Sequence, residues 1–275
     1  MSAQSAPASV ASLPMYDLPS LREATDELWR AIAAALGRRG ITAPAVLQRS
    51  GASIEAVWTD PNLLLSQTCA YPLMTLYRDR MTVVGAPVYR AAGCEGPFHR
   101  AAIIVNASSP ATDLADLKGR RCAVNDRQSN TGMNLLRAEI SRLADGQPFF
   151  RQVIYTGSHA MSLWCVAEDE ADVASIDPVT LALLQRHHPW VARRVRTLQW
   201  TSPSPGLPFV TSRRQSFRVT DALRHALAEA VQSPALRATR EALLLEEFVS
   251  LPQARYEATV SLAREAAARG YAELR

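Results

Sequence analysis

Lysine is nearly absent from this chain of 275 residues: of its 30 basic side chains only Lys118 is a lysine, and the arginines are scattered along the whole length. The densest basic cluster, Arg193, Arg194 and Arg196 beside His187 and His188, has no interleaved aromatic series on which bases would stack. A solvated helix end or strand edge accounts for it, and no nucleic-acid partner is expected. The formal net charge of +4 is mild; it favours the approach of an anion without marking a polyanion track. Long apolar runs are missing as well. No stretch approaches the ~20 apolar residues of a bilayer-crossing helix, so the chain is not expected to be membrane-embedded. The segment Met1 to Ala11 is rich in Ser and Ala, carries no basic side chain and lacks the ~7–15-residue apolar core of a secretory leader. As written, the chain is not marked for export: either it stays in the cytoplasm or a signal was never part of this sequence.

Cysteine is present but not clustered. Cys69, Cys94, Cys122 and Cys165 are widely spaced and form no CxxC pair, which excludes the usual zinc and iron–sulfur arrangements and leaves free, buried thiols suited to a reducing compartment. No metal and no cofactor are expected. The catalytic signatures GxSxG, HExxH and the P-loop are all missing. His159 and Cys165 are six apart, off one helical face, and Glu168, Asp169 and Glu170 read as a solvated helix end rather than an acid/base pair.

What remains is an alternation of strand-like and helix-like segments. The spacing of Leu21, Leu28, Ile32 and Ala35 predicts a helix from Ser20 to Ala35, ended by Gly37 and Gly40. Short strands are expected at Ala11 to Met15, Ile54 to Trp58, Leu63 to Leu65 and Met81 to Val88. After the break Gly93 to Pro97 come strands at Arg100 to Asn106, Arg121 to Val124, Gln152 to Tyr155, Ala171 to Ile176 and Val195 to Trp200. Helices are expected between them at about Thr131 to Leu143, Ala160 to Ala167 and Thr180 to His187. Beyond Phe209 to Thr211 the chain reads as nearly all helix, with Ser216 to Val231, Pro234 to Phe248 and Tyr256 to Arg269. This is an α/β pattern with largely parallel sheets. Two punctuated crossings, near 86–97 and 202–208, bracket a central α/β unit of ordinary domain size. They imply a hinge between a discontinuous lobe I (10–90 plus 205–275) and a lobe II (91–204).

Three strand-to-helix junctions carry the polar residues of interest. In the first, the strand ending at Val124 leads through a polar loop to Ser129, Asn130 and Thr131. Unpaired backbone N–H groups and the helix dipole suit such a start to an anion, and Gly132 lets the backbone approach a ligand; the same residues are also ordinary N-caps. The second junction is Thr156-Gly-Ser-His159, where Ser158 and His159 are either further donors or a cap and a packed ring. In the third, Ala174-Ser-Ile-Asp-Pro178, Asp177 either meets a cationic group or caps the next helix. Loops at the carboxyl ends of strands face one cleft in open α/β sheets. Tyr71, Tyr16, Trp58 and Trp200 are candidates for aromatic walls, and each also fits a core position.

Taken in order, Asp116-Leu-Lys-Gly119, Ser129-Asn-Thr-Gly132, Tyr155-Thr-Gly-Ser-His159, Ala171-Asp-Val-Ala-Ser-Ile-Asp177 and Pro205-Gly-Leu-Pro-Phe209 resemble the phosphate/phosphite/phosphonate substrate-binding family of ABC importers. The resemblance runs over roughly residues 10–250. It implies a two-lobed type II periplasmic-binding fold, each lobe a mostly parallel sheet flanked by helices, with a helical C-terminal segment. It implies non-catalytic capture of a small oxyanion-bearing solute between the lobes, an ABC permease as partner, and a periplasmic location. Carried over, Ser129, Thr131, Ser158 and His159 grip the anion, Tyr71 joins them from Cys69-Ala-Tyr-Pro-Leu73, and Asp177 matches a position that meets a ligand amine. Asn130 stands where the family commonly has a hydroxyl. A cytosolic ligand sensor and a cofactor-pathway enzyme on the same architecture are the rival readings.

Overall fold

Ser53 settles the first question of local structure. In the computed structural model, which describes residues 9–275, its hydroxyl accepts from the Ala56 N–H at 3.2 Å and starts a helix, Ile54–Thr59. The strand expected at Ile54 to Trp58 is therefore a helix, with Val57 and Trp58 buried. Its β-branched and aromatic composition is outweighed by the cap. The leader reading at Met1 to Ala11 falls mostly on residues 1–8, which lie outside the described residues.

Residues 9–68, 75–88 and 207–253 form one unit. Its sheet runs in the order Val10–Ser12, Leu63–Gln67, Phe209–Ser212, Met81–Tyr89, Leu245–Val249. Val10–Ser12 and Leu63–Gln67 are parallel, and Phe209–Ser212 lies antiparallel to both its neighbours. Helix Arg22–Arg38 buries Leu28, Trp29, Ile32, Ala35 and Leu36 on one stripe. It packs beside helix Phe217–Gln232, where Glu229 binds both Arg38 and Arg39. The helix expected from Pro234 to Phe248 is split. Arg237–Leu243 is helical, Leu244 turns left-handed at φ 56°, and Leu245–Val249 becomes the edge strand. Gly85 accommodates that strand: a Cβ there would meet the Phe248 ring at 2.4 Å.

Residues 69–74, 89–206 and 254–275 form the second unit. Its main sheet has the order Val195–Trp200, Ala102–Asn106, Val173–Ile176, Arg121–Val124, Gln152–Tyr155. The first two pairings are antiparallel and the last two parallel, so this α/β sheet is mixed. A small antiparallel sheet joins Cys94–Glu95, Phe98–His99 and Ser204–Pro205. The last residues belong here and not, as the sequence suggests, with the first unit. Tyr271 and Leu274 are buried with Ile103, Val124, Leu136 and Phe149. The Arg275 carbonyl accepts from the Phe149 and Phe150 N–H groups at 2.7 and 3.1 Å, and Arg137 donates to the Ala272 carbonyl at 2.6 Å.

No helix among the described residues is long and apolar enough to cross a membrane. The basic cluster is engaged locally. Arg194 pairs with Glu168 at 2.6 Å, and Arg196 donates to the Ser109 and Ala111 carbonyls.

Candidate ligand-binding site

The parallel strands Arg121–Val124, Gln152–Tyr155 and Val173–Ile176 release their carboxyl ends at one edge of the second unit. Each feeds at once into a polar loop and a helix start, which gathers the three predicted junctions. At the first, Ser129 has extended backbone and its hydroxyl accepts from the Gly132 N–H at 2.9 Å. A single π-helical turn, Asn130–Asn134, comes next, and only then the α-helix Leu135–Ile140. The uniform helix expected from Thr131 to Leu143 is thus widened at its start, a distortion that recurs at functional positions.

Asn130 is fully buried. Its amide donates to Ser204 Oγ at 2.8 Å and accepts from Asn134 Nδ2 at 3.1 Å. Asn134 and Arg137 extend this network, with Arg137 donating to Asn134 Oδ1 at 2.8 Å and standing 5.9 Å over the ring of Tyr71. The Thr131 hydroxyl lies 3.0 Å from His159 Nε2, and the Thr131 carbonyl accepts from Ser175 Oγ at 2.5 Å. Glycine at 132 permits this convergence: a Cβ would stand 1.8 Å from Asn125 Oδ1 and 3.1 Å from His159 Cε1.

At the second junction Ser158 caps helix His159–Ala167, accepting from the Met161 N–H at 3.1 Å. His159 Nδ1 is buried without a hydrogen-bond partner. Burial pushes the pKa of this imidazole below its ordinary value, and His99 adds to that; the Asp177 carboxylate and the Ser175 carbonyl pull the other way. At the third junction Asp177, 2% exposed, caps helix Pro178–His187 by accepting from the Thr180 N–H at 2.9 Å. Its other oxygen lies 3.6 Å from His99 Nδ1.

Thr131 and His159 are therefore in direct contact, and Asn130, Ser129 and Asp177 are tied into the same part of the second unit. Tyr71 is half-buried in that unit against Arg137. Tyr16 belongs to the first unit, where its carbonyl accepts from the Leu18 N–H at 2.9 Å, and so does Trp58. Trp200 lies in the second unit over Gly93, whose missing Cβ makes room for the ring.

Sequence reasoning passed over Cys69, His99, Ser175 and Ser204. Cys69 Sγ accepts the Asn130 N–H at 3.1 Å. Burial pushes this thiol up to about 11 against the opposing pull of the Asn130, Tyr71 and Thr131 N–H groups. All four cysteines are free, Cys122 and Cys165 buried, Cys69 and Cys94 only partly so. Among the described residues no three His, Cys, Asp or Glu side chains gather as a metal site.

The chain matches, over residues 10–256, the family described as ABC transporter, phosphonate, periplasmic substrate-binding protein. No curated protein sequence matches it. Among solved structures it is similar to a binding protein component of an ABC phosphonate transporter from Pseudomonas aeruginosa, at TM-score 0.75 and 16% identity over 95% of this chain and 88% of that one. It is also similar to XAC2383 from Xanthomonas citri bound to ATP, at TM-score 0.71 and 16% identity over 96% and 99%. PhnD1 from Prochlorococcus marinus in complex with methylphosphonate gives TM-score 0.70 and 12% identity over 94% and 97%. At these identities the likeness is one of fold.

Proposed function

This chain belongs to the periplasmic substrate-binding family of phosphonate ABC transporters, and from that premise we propose that His159, its ring oriented by Thr131, holds the oxyanion head of a small solute. The observation that carries the reading is His159 Nδ1, a buried ring nitrogen with no partner, in a ring whose Nε2 lies 3.0 Å from the Thr131 hydroxyl at the edge where three parallel strands end. A buried polar atom is left unpaired only at a cost. With Thr131 donating to Nε2, the ring proton sits on Nδ1 and is offered to an anion.

Ser129, Ser158 and Asp177 act mainly by fixing the three helix starts, and Asn130 anchors the loop through Ser204. Tyr71, held under Arg137, serves as a wall. The protein captures its solute without making bonds. The thiols near the cluster support this, because burial pushes Cys69 up to about 11 and Cys94 up to about 12, leaving neither as a thiolate nucleophile near neutrality. A permease is the partner that the family description implies.

Calorimetric titration of the purified chain with phosphate, methylphosphonate and acetate tests the site. Micromolar binding of a phosphorus oxyanion is expected, weakened at least about ten-fold in Thr131→Val and in His159→Ala. Both variants should keep a cooperative melt. Unchanged affinity in both would show that the anion sits elsewhere.

A further inference from the structure

His99 is 4% exposed and Asp177 2%, and neither the strand-to-helix junctions nor the anion reading uses the imidazole. In the small sheet His99 lies opposite Cys94 on one side and Ser204 on the other. Directly opposed side chains share a face of the sheet, and on that face Ser204 accepts from the Asn130 amide. The His99 ring therefore points to the side where the 129–131 loop packs.

Its chemistry is set by Asp177. One carboxylate oxygen of Asp177 is occupied by the Thr180 N–H at 2.9 Å, and the other lies 3.6 Å from His99 Nδ1. The carboxylate draws the ring proton to Nδ1 and leaves Nε2 with a lone pair. Burial pushes the His99 pKa down, against the pull of Asp177, so the ring is neutral. The other titratable groups in its surroundings are His159, on which its field acts, and the Cys94 thiol across the strand, itself held protonated. Nε2 is buried and has no hydrogen-bond partner. With the proposed tautomers, His99 and His159 present complementary ring atoms: a proton from His159 Nδ1, a lone pair from His99 Nε2.

We propose that His99, positioned by Asp177, is a specificity-determining residue that selects an oxyanion bearing a hydroxyl on the substituent next to its charged head, the hydroxyl donating to His99 Nε2. A neutral donor suits the atom because the ring is neutral and the Asp177 charge is already directed at Nδ1 and at the helix start. The inference rests on the proposed oxyanion site at Thr131 and His159.

The test compares two ligands of the same shape, hydroxymethylphosphonate and ethylphosphonate, by calorimetry on the full chain at mildly alkaline pH. An unpaired buried acceptor should favour the hydroxyl ligand by about ten- to hundred-fold. In His99→Leu the ratio should fall to about one. In His99→Phe, whose ring is of similar size but carries no nitrogen to accept the hydroxyl proton, the ratio should fall likewise, and this variant carries the test should His99→Leu not fold. Equal binding of the two ligands by the unaltered protein, or a preference that survives in both His99 variants, overturns the proposal and leaves the oxyanion site standing. If neither ligand nor phosphate binds, the oxyanion reading fails and this inference fails with it.

Discussion

Gly132 is the position where a single atom changes most. Its absent side chain is what lets Asn125, Thr131 and His159 meet, since a Cβ would lie 1.8 Å from Asn125 Oδ1. Gly132→Ala must push the 125 loop or the π-helical turn outward, at a cost of about 1–3 kcal/mol in stability, the usual range for overpacking. Oxyanion affinity should fall with it, by at least as much as in His159→Ala. Urea unfolding alongside calorimetry checks both, and a variant that loses stability but binds normally would separate Gly132 from the site. At this scale the residues legible in the sequence are those at strand-to-helix junctions. Ser129, Ser158 and Asp177 each sit one step before a helix, and all three cap. Thr131 and His159 follow caps, so their proximity was readable from two adjacent loops. Cys69 and His99 were not readable. Each acquires its role through a contact across the fold, Cys69 with Asn130 and His99 with Asp177, and no local pattern of the chain encodes such pairs.

Among elements, the strands Arg121–Val124, Gln152–Tyr155 and Val195–Trp200 have the bounds that their β-branched, apolar runs suggest. The misread elements share a cause: similar local composition with a different terminating residue. Ile54–Thr59 carries Ile, Val, Trp and Thr, good strand formers, but the Ser53 cap on the Ala56 N–H makes the segment a helix. In the segment from Pro234, leucines and glutamates continue a helical pattern to Glu247, yet Leu244 at φ 56° ends the helix and sends Leu245–Val249 into the sheet. Helix ends also give a prediction. Helix His159–Ala167 finishes with Asp169 at φ 60°, a left-handed conformation costly for any residue with a Cβ. Asp169 is exposed, so Asp169→Gly removes that strain without opening a cavity. A gain of about 1 kcal/mol is expected, set against the entropy that glycine loses on folding. Differential scanning calorimetry should show Tm rising by ~2–4 °C. A fall in Tm would mean that the aspartate carboxylate contributes more than the backbone strain costs.

At the scale of the molecule, the titratable groups buried by folding define a pH window. On the alkaline side, burial pushes Cys69 up to about 11 and Cys94 up to about 12, and raises Cys122, Cys165, Tyr256 and Tyr271 as well. In the unfolded chain thiols ionise near ~8.5. Above that pH the unfolded state holds fewer protons than the folded one, so stability falls as pH rises. On the acid side, burial lowers His99 and His159. Unfolded histidines take up protons near ~6.5 while the folded ones resist, so stability also falls as pH drops below that value. Asp172, held low by its hydrogen bonds from Arg121, adds a further loss near the ordinary carboxylate range. Stability is therefore expected to be greatest between about pH 6.5 and about pH 8.5 and to decline on both sides. A series of melts from about pH 4 to about pH 11 checks the shape, and a maximum outside that window would contradict it. Two variants assign the limbs. Cys122→Ala, which removes a fully buried thiol, should make the alkaline decline shallower even though the protein is less stable at neutral pH. His99→Gln, which keeps a polar side chain but cannot titrate, should do the same on the acid side. An acid limb that is as steep in His99→Gln as in the unaltered chain would place the acid sensitivity in His159 and the carboxylates instead.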